Sequence, residues 1–309
     1  MRICFVSAPQ GSAFMRELLG VAADAVERAG GSVSLHTGAY PVMPSPCVYV
    51  VIPHEYFVVT PVDHQPTAAQ RSRTIGFCVE HPGNQTFEVS FGYARCLGGV
   101  VDINDDSLAE LRRRGIPAER FVLGYSPLWD AWGGSDKSDR PIDITYLGTT
   151  DIRRAQLLAL QAGELAVWNT RLLIPPHEPM IRSRPDFLMG EAKLQHLAST
   201  KVLINLHRGG SRSLEWVRIL ESMCNGCVVT SERSDDFWPL VPGEDLVFAE
   251  PTRVAAAASA LLRDPQRLGS MRQAAWAKCR SIDMRASAER LIEMAAEIER
   301  GGRPAESRL

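Results

Sequence analysis

A handful of short stretches in this chain hold residue types that could do chemistry. The first is "RILESMCNGCVVTSE", Arg218 to Glu232, where Cys224 and Cys227 form a C-x-x-C and Arg218 and Glu221 stand three apart on one helix face. A carboxylate such as Glu221, two turns into a helix beside a nucleotide, can accept from both ribose hydroxyls. Just upstream, "HRGGSRS" offers Arg208, Gly209, Gly210 and Ser211 ahead of a helix that opens near Ser213. Glycines let backbone N–H groups approach an anion, and a helix N-terminus carries partial positive charge. With Arg208 or Arg212 adding charge-assisted bonds, this loop has the makings of a diphosphate cradle. "LGTTDIRR" places Gly148, Thr149 and Thr150 at the end of another strand, with Arg153 and Arg154 behind them. A third group could bind a substrate or supply a general base: His54 and Glu55 in "VVIPHEY", Glu80 and His81 in "GFCVEHPGN", Asp102 and Asn104 in "GVVDINDDS".

Each stretch also has a plainer reading. The C-x-x-C closes a helix, whereas a redox C-x-x-C opens one, and no second C-x-x-C or H-x-x-x-H completes a zinc set. These two cysteines therefore read as packing. Arg218 and Glu221 alone would make a surface pair of a few tenths of a kcal/mol, but the apolar residues around them leave little exposed face. "HRGGSRS" by itself is an ordinary Gly-rich connection, and "GTTD" an ordinary strand-to-helix turn capped by Thr150 or Asp151. There is no G-x-x-x-x-G-K-[ST] loop, and no G-x-G-x-x-G follows the first strand. Among the candidate bases, Glu80 and His81 are favoured, because Pro82-Gly83 would end their strand abruptly and expose them. His54 is a further candidate, and His207 an alternative in the second half.

Positioning these residues requires parallel strands with helices between them, and the chain alternates in that way almost throughout. Strand "RICFVSA" leads to helix "SAFMRELLGVAADAVERAG", then to strands "SVSLHTG", "CVYVVIP", "TIGFCVE" and "GVVDIN" with helices among them. "WDAWGGSDKSDRP", residues 129–141, is rich in Gly, Ser and Asp without periodicity and reads as a linker. The pattern then restarts with strand "IDITYLG" and runs through "KVLINLHR", "CVVTSE" and "LVFAE" to a helical C-terminus. The expected fold is α/β, with two Rossmann-like domains facing a central cleft. Ligands in such sheets sit outside the carboxyl ends of the strands.

Composition narrows the function classes. The 309 residues suit two domains, and a formal net charge of -2 gives no support to nucleic acid or an anionic membrane surface as partner. No apolar run approaches a membrane span, and no secretory leader precedes the first strand. Seven scattered cysteines read as free thiols in a reducing cytoplasm.

The stretch "RILESMCNGCVVTSE" resembles the E-x-x-x-x-G-x-x-V-x-(S/T) segment of GT-B glycosyltransferases of group 1. More narrowly, "YLGTTDIRRAQLL", "KVLINLHRGG" and "RILE" resemble the spore-maturation CgeB-like group, in the same order, over about residues 142–295. The resemblance implies that Glu221 binds the ribose of a nucleotide-sugar, that Gly226 is the turn glycine after it, and that Arg218 is that group's arginine. Many retaining members carry a further Glu eight residues earlier; here that position is Ser213, with Glu215 nearby but off register.

The resemblance implies an acceptor-binding domain over residues 1–135 and a nucleotide-sugar domain over 142–285. A terminal helix and tail over 286–309 would be able to pack back on the first domain. The implied activity is hexosyl transfer from a nucleoside-diphosphate sugar to a small-molecule, glycan or peptide acceptor. It would need neither metal nor bound cofactor, with the donor as co-substrate. A base for an inverting reaction would come from His81, Glu80 or His54. The donor would be held by Glu221, Arg218, Arg208, Gly209, Gly210, Ser211, Gly148, Thr149 and Thr150. Two alternatives stay open: a non-catalytic sugar-nucleotide or glycan-binding protein, and a sugar-nucleotide epimerase of the same fold.

Overall fold

The computed structural model describes residues 1–43, 47–134, 139–149, 151–176, 178–209 and 212–301. The chain divides into two compact units. The first comprises Met1–Leu123, Pro179–Ile181 and the C-terminal segment from Met284; the second comprises Gly124–Glu178 and Arg182–Asp283.

In the first unit the elements are β1 (Arg2–Ser7), α1 (Ala13–Arg28), β2 (Val33–Thr37), β3 (Cys47–Val51), α2 (Pro53–Val59), α3 (Ala68–Arg71), β4 (Thr74–Cys78), α4 (Gln85–Ala94), β5 (Gly99–Asp102), α5 (Asp105–Arg113) and β6 (Ala118–Arg120). The strands are parallel in the order β2-β1-β3-β4-β5-β6. β3 and β4 are buried along their whole length, as strands covered by helices on both faces must be. From β1 the chain turns to one side of the sheet, and from β3 it builds toward the other. The carboxyl ends of β1 and β3 therefore flank the topological switch point, where open α/β sheets bind ligands.

The second unit contains β7 (Ile142–Leu147), α6 (Ile152–Leu160), α7 (Ala162–Leu165), β8 (Thr170–Leu173), α8 (Gly190–Ala198), β9 (Thr200–Asn205), α9 (Trp216–Cys224), β10 (Val228–Glu232), β11 (Leu246–Ala249), α10 (Val254–Leu262) and α11 (Pro265–Ser281). Its parallel sheet runs β11-β10-β9-β7-β8, so its switch point lies between β7 and β9. Ile144, Tyr146, Val202, Ile204 and Val228 of the sheet pack against Val254, Ala255, Ala258 and Leu261 of α10.

The last helix, α12 (Arg285–Glu299), belongs to the first unit. It lies along α1, and Arg290 there pairs with Glu119 at 2.6 Å. Met294 and Ile298 fill the space beside Gly99.

The stretch 129–141, which reads as a linker, is anchored in the second unit wherever it is described. Trp129 and Trp132 are buried, and Asn225 at the end of α9 grips both sides of the turn. Its Nδ2 donates to Trp129 O at 2.7 Å and its Oδ1 accepts from Ala131 N at 3.0 Å. Arg140 donates to Thr200 O and Asn225 O, each at 2.8 Å, and stacks over Trp132 at 4.8 Å. The Gly, Ser and Asp content masks the tryptophans that do the anchoring. The passage between units falls instead at Leu123–Gly124.

Gly226 turns α9 into β10 with φ +65°, and a Cβ there would lie 2.5 Å from Arg140 Nη2 and 2.6 Å from the Trp132 ring. Left-handed strain and overpacking add, so Gly226→Ala is expected to cost roughly 2–5 kcal/mol. A urea titration checks this through its midpoint.

Candidate functional site

At the switch point of the second unit, three arginines converge on two loops. Asp151 caps α6 by accepting from Arg154 N at 2.9 Å, which fixes the first turn carrying Arg153 and Arg154. The buried Arg154 donates through Nε to Leu206 O at 2.9 Å and pairs with Glu215. It thereby ties the start of α6 to the loop after β9. Arg153 donates to His207 O at 2.9 Å and to Glu232 Oε1 at 2.7 Å, and that same oxygen accepts from His207 N at 2.9 Å. His207 Nε2 stands 3.0 Å from Ser234 Oγ. Arg218 donates to Asn205 Oδ1 at 2.7 Å and shares Glu215 with Arg154. Asn205 is held in turn by donating to Ser231 Oγ at 2.9 Å.

Gly148, at the end of β7, leaves no room for a side chain, because a Cβ there would lie 2.5 Å from the Tyr146 hydroxyl. That hydroxyl is buried and has no hydrogen-bond partner among the described residues. Burial pushes its pKa up, while Arg154 and Arg218 nearby pull it down. Thr149 is half-buried, Arg208 is exposed, and Gly209 takes φ +58°. Thr150, Gly210 and Ser211 lie outside the described residues.

Glu221 and Arg218 share α9 but reach different partners. Glu221 is buried, and its Oε1 accepts from Lys193 Nζ of α8 at 2.6 Å. The i,i+3 pair that the spacing offers is not the one formed; Arg218 takes Glu215 instead, three residues before it. Lys193 escapes a reading by residue type, since lysines belong on surfaces. It lies four residues before the fully buried Leu197, and that spacing is the signal that could have found it. Ser213 is buried. In place of a carboxylate on that residue, Asp236 from the loop after β10 accepts from Leu214 N through Oδ1.

Cys224 and Cys227 do not face each other as a reactive pair. Cys224 Sγ lies 3.2 Å from Cys279 Sγ of α11. Cys224's pKa is raised by that neighbour and by burial, and burial pushes Cys227 up to about 12. Thiols held this far from ionisation are poor nucleophiles and poor metal ligands.

The first unit gathers its acid and base groups at the carboxyl ends of β3 and β4. His54 and Glu55 sit in the first turn of α2. His54 Nε2 is 3.4 Å from Glu80 Oε1, and Nδ1 is 3.3 Å from Ser90 Oγ of α4. Burial lowers the His54 pKa against the opposing pull of Glu80. Glu80 Oε2 accepts from Asn84 Nδ2 at 3.0 Å and from Thr86 Oγ1 at 2.7 Å. His81, the next residue, turns to Asp106 at 3.4 Å. Glu80 and His81 thus stand side by side in sequence and face different partners.

Ser90, His54 and Glu80 follow the order of a nucleophilic triad. Ser90 is only 1% exposed, however, on the inner face of α4, where no substrate carbonyl reaches it. Two further carboxyls are strongly perturbed. Burial pushes Glu55 up to about 7, opposed by a hydrogen bond from Ser12 N–H and by Arg16. Burial likewise pushes Asp102 up to about 7, opposed by Ser107 and by Asn104 N–H.

No protein-family model and no curated protein matches this sequence. Solved structures do match the fold. HepE of Anabaena, solved in complex with UDP-glucose, aligns over 95% of this chain and 99% of its own, with TM-score 0.62 and 12% identity. Sucrose-phosphate synthase of Thermosynechococcus elongatus aligns over 97% of this chain and 99% of its own, with TM-score 0.59 and 12% identity. WaaG, a glycosyltransferase involved in lipopolysaccharide biosynthesis, covers 98% and 100%, with TM-score 0.58 and 12% identity. The fold is GT-B. At 12% identity the likeness is one of architecture. Within that architecture the two switch points are the places that can hold ligands.

Proposed function

We propose that this chain is a glycosyltransferase that moves a sugar from a nucleoside-diphosphate sugar held by the second unit to an acceptor held by the first. The observation that carries this reading is the convergence of Arg153, Arg154 and Arg218 on the β7/β9 switch point. Held by Glu232, Glu215 and Asn205, they are oriented before any ligand arrives, so little ordering accompanies diphosphate binding. Arg208 and Gly209 after β9 and Gly148 and Thr149 after β7 complete the cradle in this reading, while Thr150, Gly210 and Ser211, also expected there from the sequence, lie outside the described residues. Positive charge on side chains serves the leaving diphosphate, which makes metal-independent chemistry part of the proposal. Glu221, positioned by Lys193, takes the ribose hydroxyls.

UDP is the favoured nucleotide because HepE was solved with UDP-glucose. The narrower CgeB-like assignment rests on "YLGTTDIRRAQLL" and "RILE". No helix among the described residues is long and apolar enough to cross a membrane, and all seven cysteines are free; a cytoplasmic enzyme is the reading that these support. A binding-only role is favoured by one observation, the engagement of Glu221 by Lys193.

Thermal unfolding with UDP, GDP, TDP and their sugars tests the donor site. A ligand at 100 times its dissociation constant adds about 2.7 kcal/mol to the folded state. One nucleotide is expected to stabilise the wild type, with the shift reduced in Arg208→Ala and lost in Glu221→Gln. Absence of any shift in the wild type would remove the donor site.

A further inference from the structure

We propose that the Glu215 carboxylate, which bridges Arg154 and Arg218 at the β7/β9 switch point, holds the place of a donor phosphate, and that a nucleoside diphosphate binds by displacing it. This deepens the glycosyltransferase reading above and rests on it. The balance of charge at the switch point carries the inference. Arg153, Arg154 and Arg218 face three carboxylates, those of Glu232, Asp151 and Glu215. These groups cancel. A diphosphate entering among them meets no surplus of positive charge unless one carboxylate gives way.

Glu215 is the carboxylate placed to leave. Glu232 Oε1 accepts from both Arg153 and His207 N, at 2.7 and 2.9 Å, and its side chain is only 5% exposed. Asp151 is tied up in capping α6. Glu215 instead stands on the residue before α9 begins and gives one oxygen to each arginine, Oε1 to Arg154 and Oε2 to Arg218. Two oxygens spanning two guanidinium groups is a pattern that phosphate reproduces. Its side chain is 20% exposed, so an anion arriving from solvent can compete with it. Both arginines keep neutral anchors when the carboxylate goes, Arg154 on Leu206 O and Arg218 on Asn205 Oδ1. The cations therefore stay aimed while their counter-ion is exchanged. The Tyr146 hydroxyl, buried and without a partner among the described residues, lies in the field of Arg154, Arg218 and Glu215 and is a further donor beside them. The exchange lowers the apparent affinity for diphosphate by the fraction of molecules in which Glu215 holds both arginines.

The test is calorimetric titration of wild type, Glu215→Gln and Glu215→Asp with pyrophosphate, with UDP, GDP and TDP, and with the matching nucleosides. Glu215→Gln should bind pyrophosphate and the preferred nucleoside diphosphate about tenfold or more tighter than wild type. Nucleoside affinity should stay within about threefold, because the gain lies in the phosphates. Glu215→Asp, which keeps the charge on a shorter arm, should fall between the two. It carries the test if Glu215→Gln folds poorly, since any gain in diphosphate affinity over wild type has the same sign. Diphosphate affinity that is unchanged or weaker in the variants overturns the proposal and makes Glu215 a fixed support of the arginines, with the donor reading left standing. An equal gain for nucleosides overturns it as well. If neither wild type nor variants bind any nucleotide or pyrophosphate, the donor reading itself fails and the proposal falls with it.

Discussion

Lys193→Met is expected to destabilise the protein by about 3–5 kcal/mol, because it strands the buried Glu221 carboxylate without its cation. Both side chains are nearly closed to solvent, at 10% and 4% exposure, so water cannot replace the lost partner. Glu221→Met alone should cost a comparable amount by removing the carboxylate that balances the buried ammonium. The double variant Lys193→Met with Glu221→Met is expected to recover most of the loss, since apolar replacement of a whole buried pair is often neutral. Urea midpoints for the four proteins give the coupling directly. A loss below about 1 kcal/mol in Lys193→Met would mean that Glu221 reaches solvent or another cation. The same proteins bear on function: if Lys193 positions Glu221 for ribose, Lys193→Met should also shrink the nucleotide-induced thermal shift.

The second large effect is on stability against pH. Glu55 and Asp102 both titrate near 7 in the folded chain, against ordinary carboxyl values near 4 when unfolded. Between about pH 4 and 7 the folded chain therefore keeps protons that the unfolded chain releases, and stability falls as pH rises across that window. The cost above pH 7 is on the order of 3 kcal/mol for Glu55 and 4 for Asp102. Glu55→Gln and Asp102→Asn should each be more stable than wild type at pH 8, with the gain fading toward pH 4. His54 acts in the opposite sense, because burial lowers its pKa and stability is lost as pH falls below about 6.5. Variant-minus-wild-type differences at pH 5 and 8 isolate each carboxyl. Equal differences at both pH values would show that neither group is perturbed.

Much of the architecture was legible in the chain. Buried parallel strands must read as continuous apolar runs, and "CVYVV", "TIGFC" and "KVLIN" do, so the two sheets follow from local pattern. Gly226 is recognisable because a helix that turns into a buried strand needs a left-handed residue there, and φ +65° is what it adopts. The plain reading of Cys224 and Cys227 also needed only their place at the end of a helix.

What tertiary structure decided was pairing. Glu80 meets His54 and not its neighbour His81, because β3 and β4 lie side by side and bring residues 26 apart to the same rim. The order of strands, which no local pattern encodes, puts Arg153 beside Glu232 and Arg154 beside Glu215. Burial likewise turned an ordinary helical lysine into the partner of Glu221, and a supposed linker into a segment anchored by Trp129 and Trp132. Local sequence sets φ, ψ and which face is apolar. Which charge meets which depends on register and crossover, and these are settled only when the whole sheet assembles.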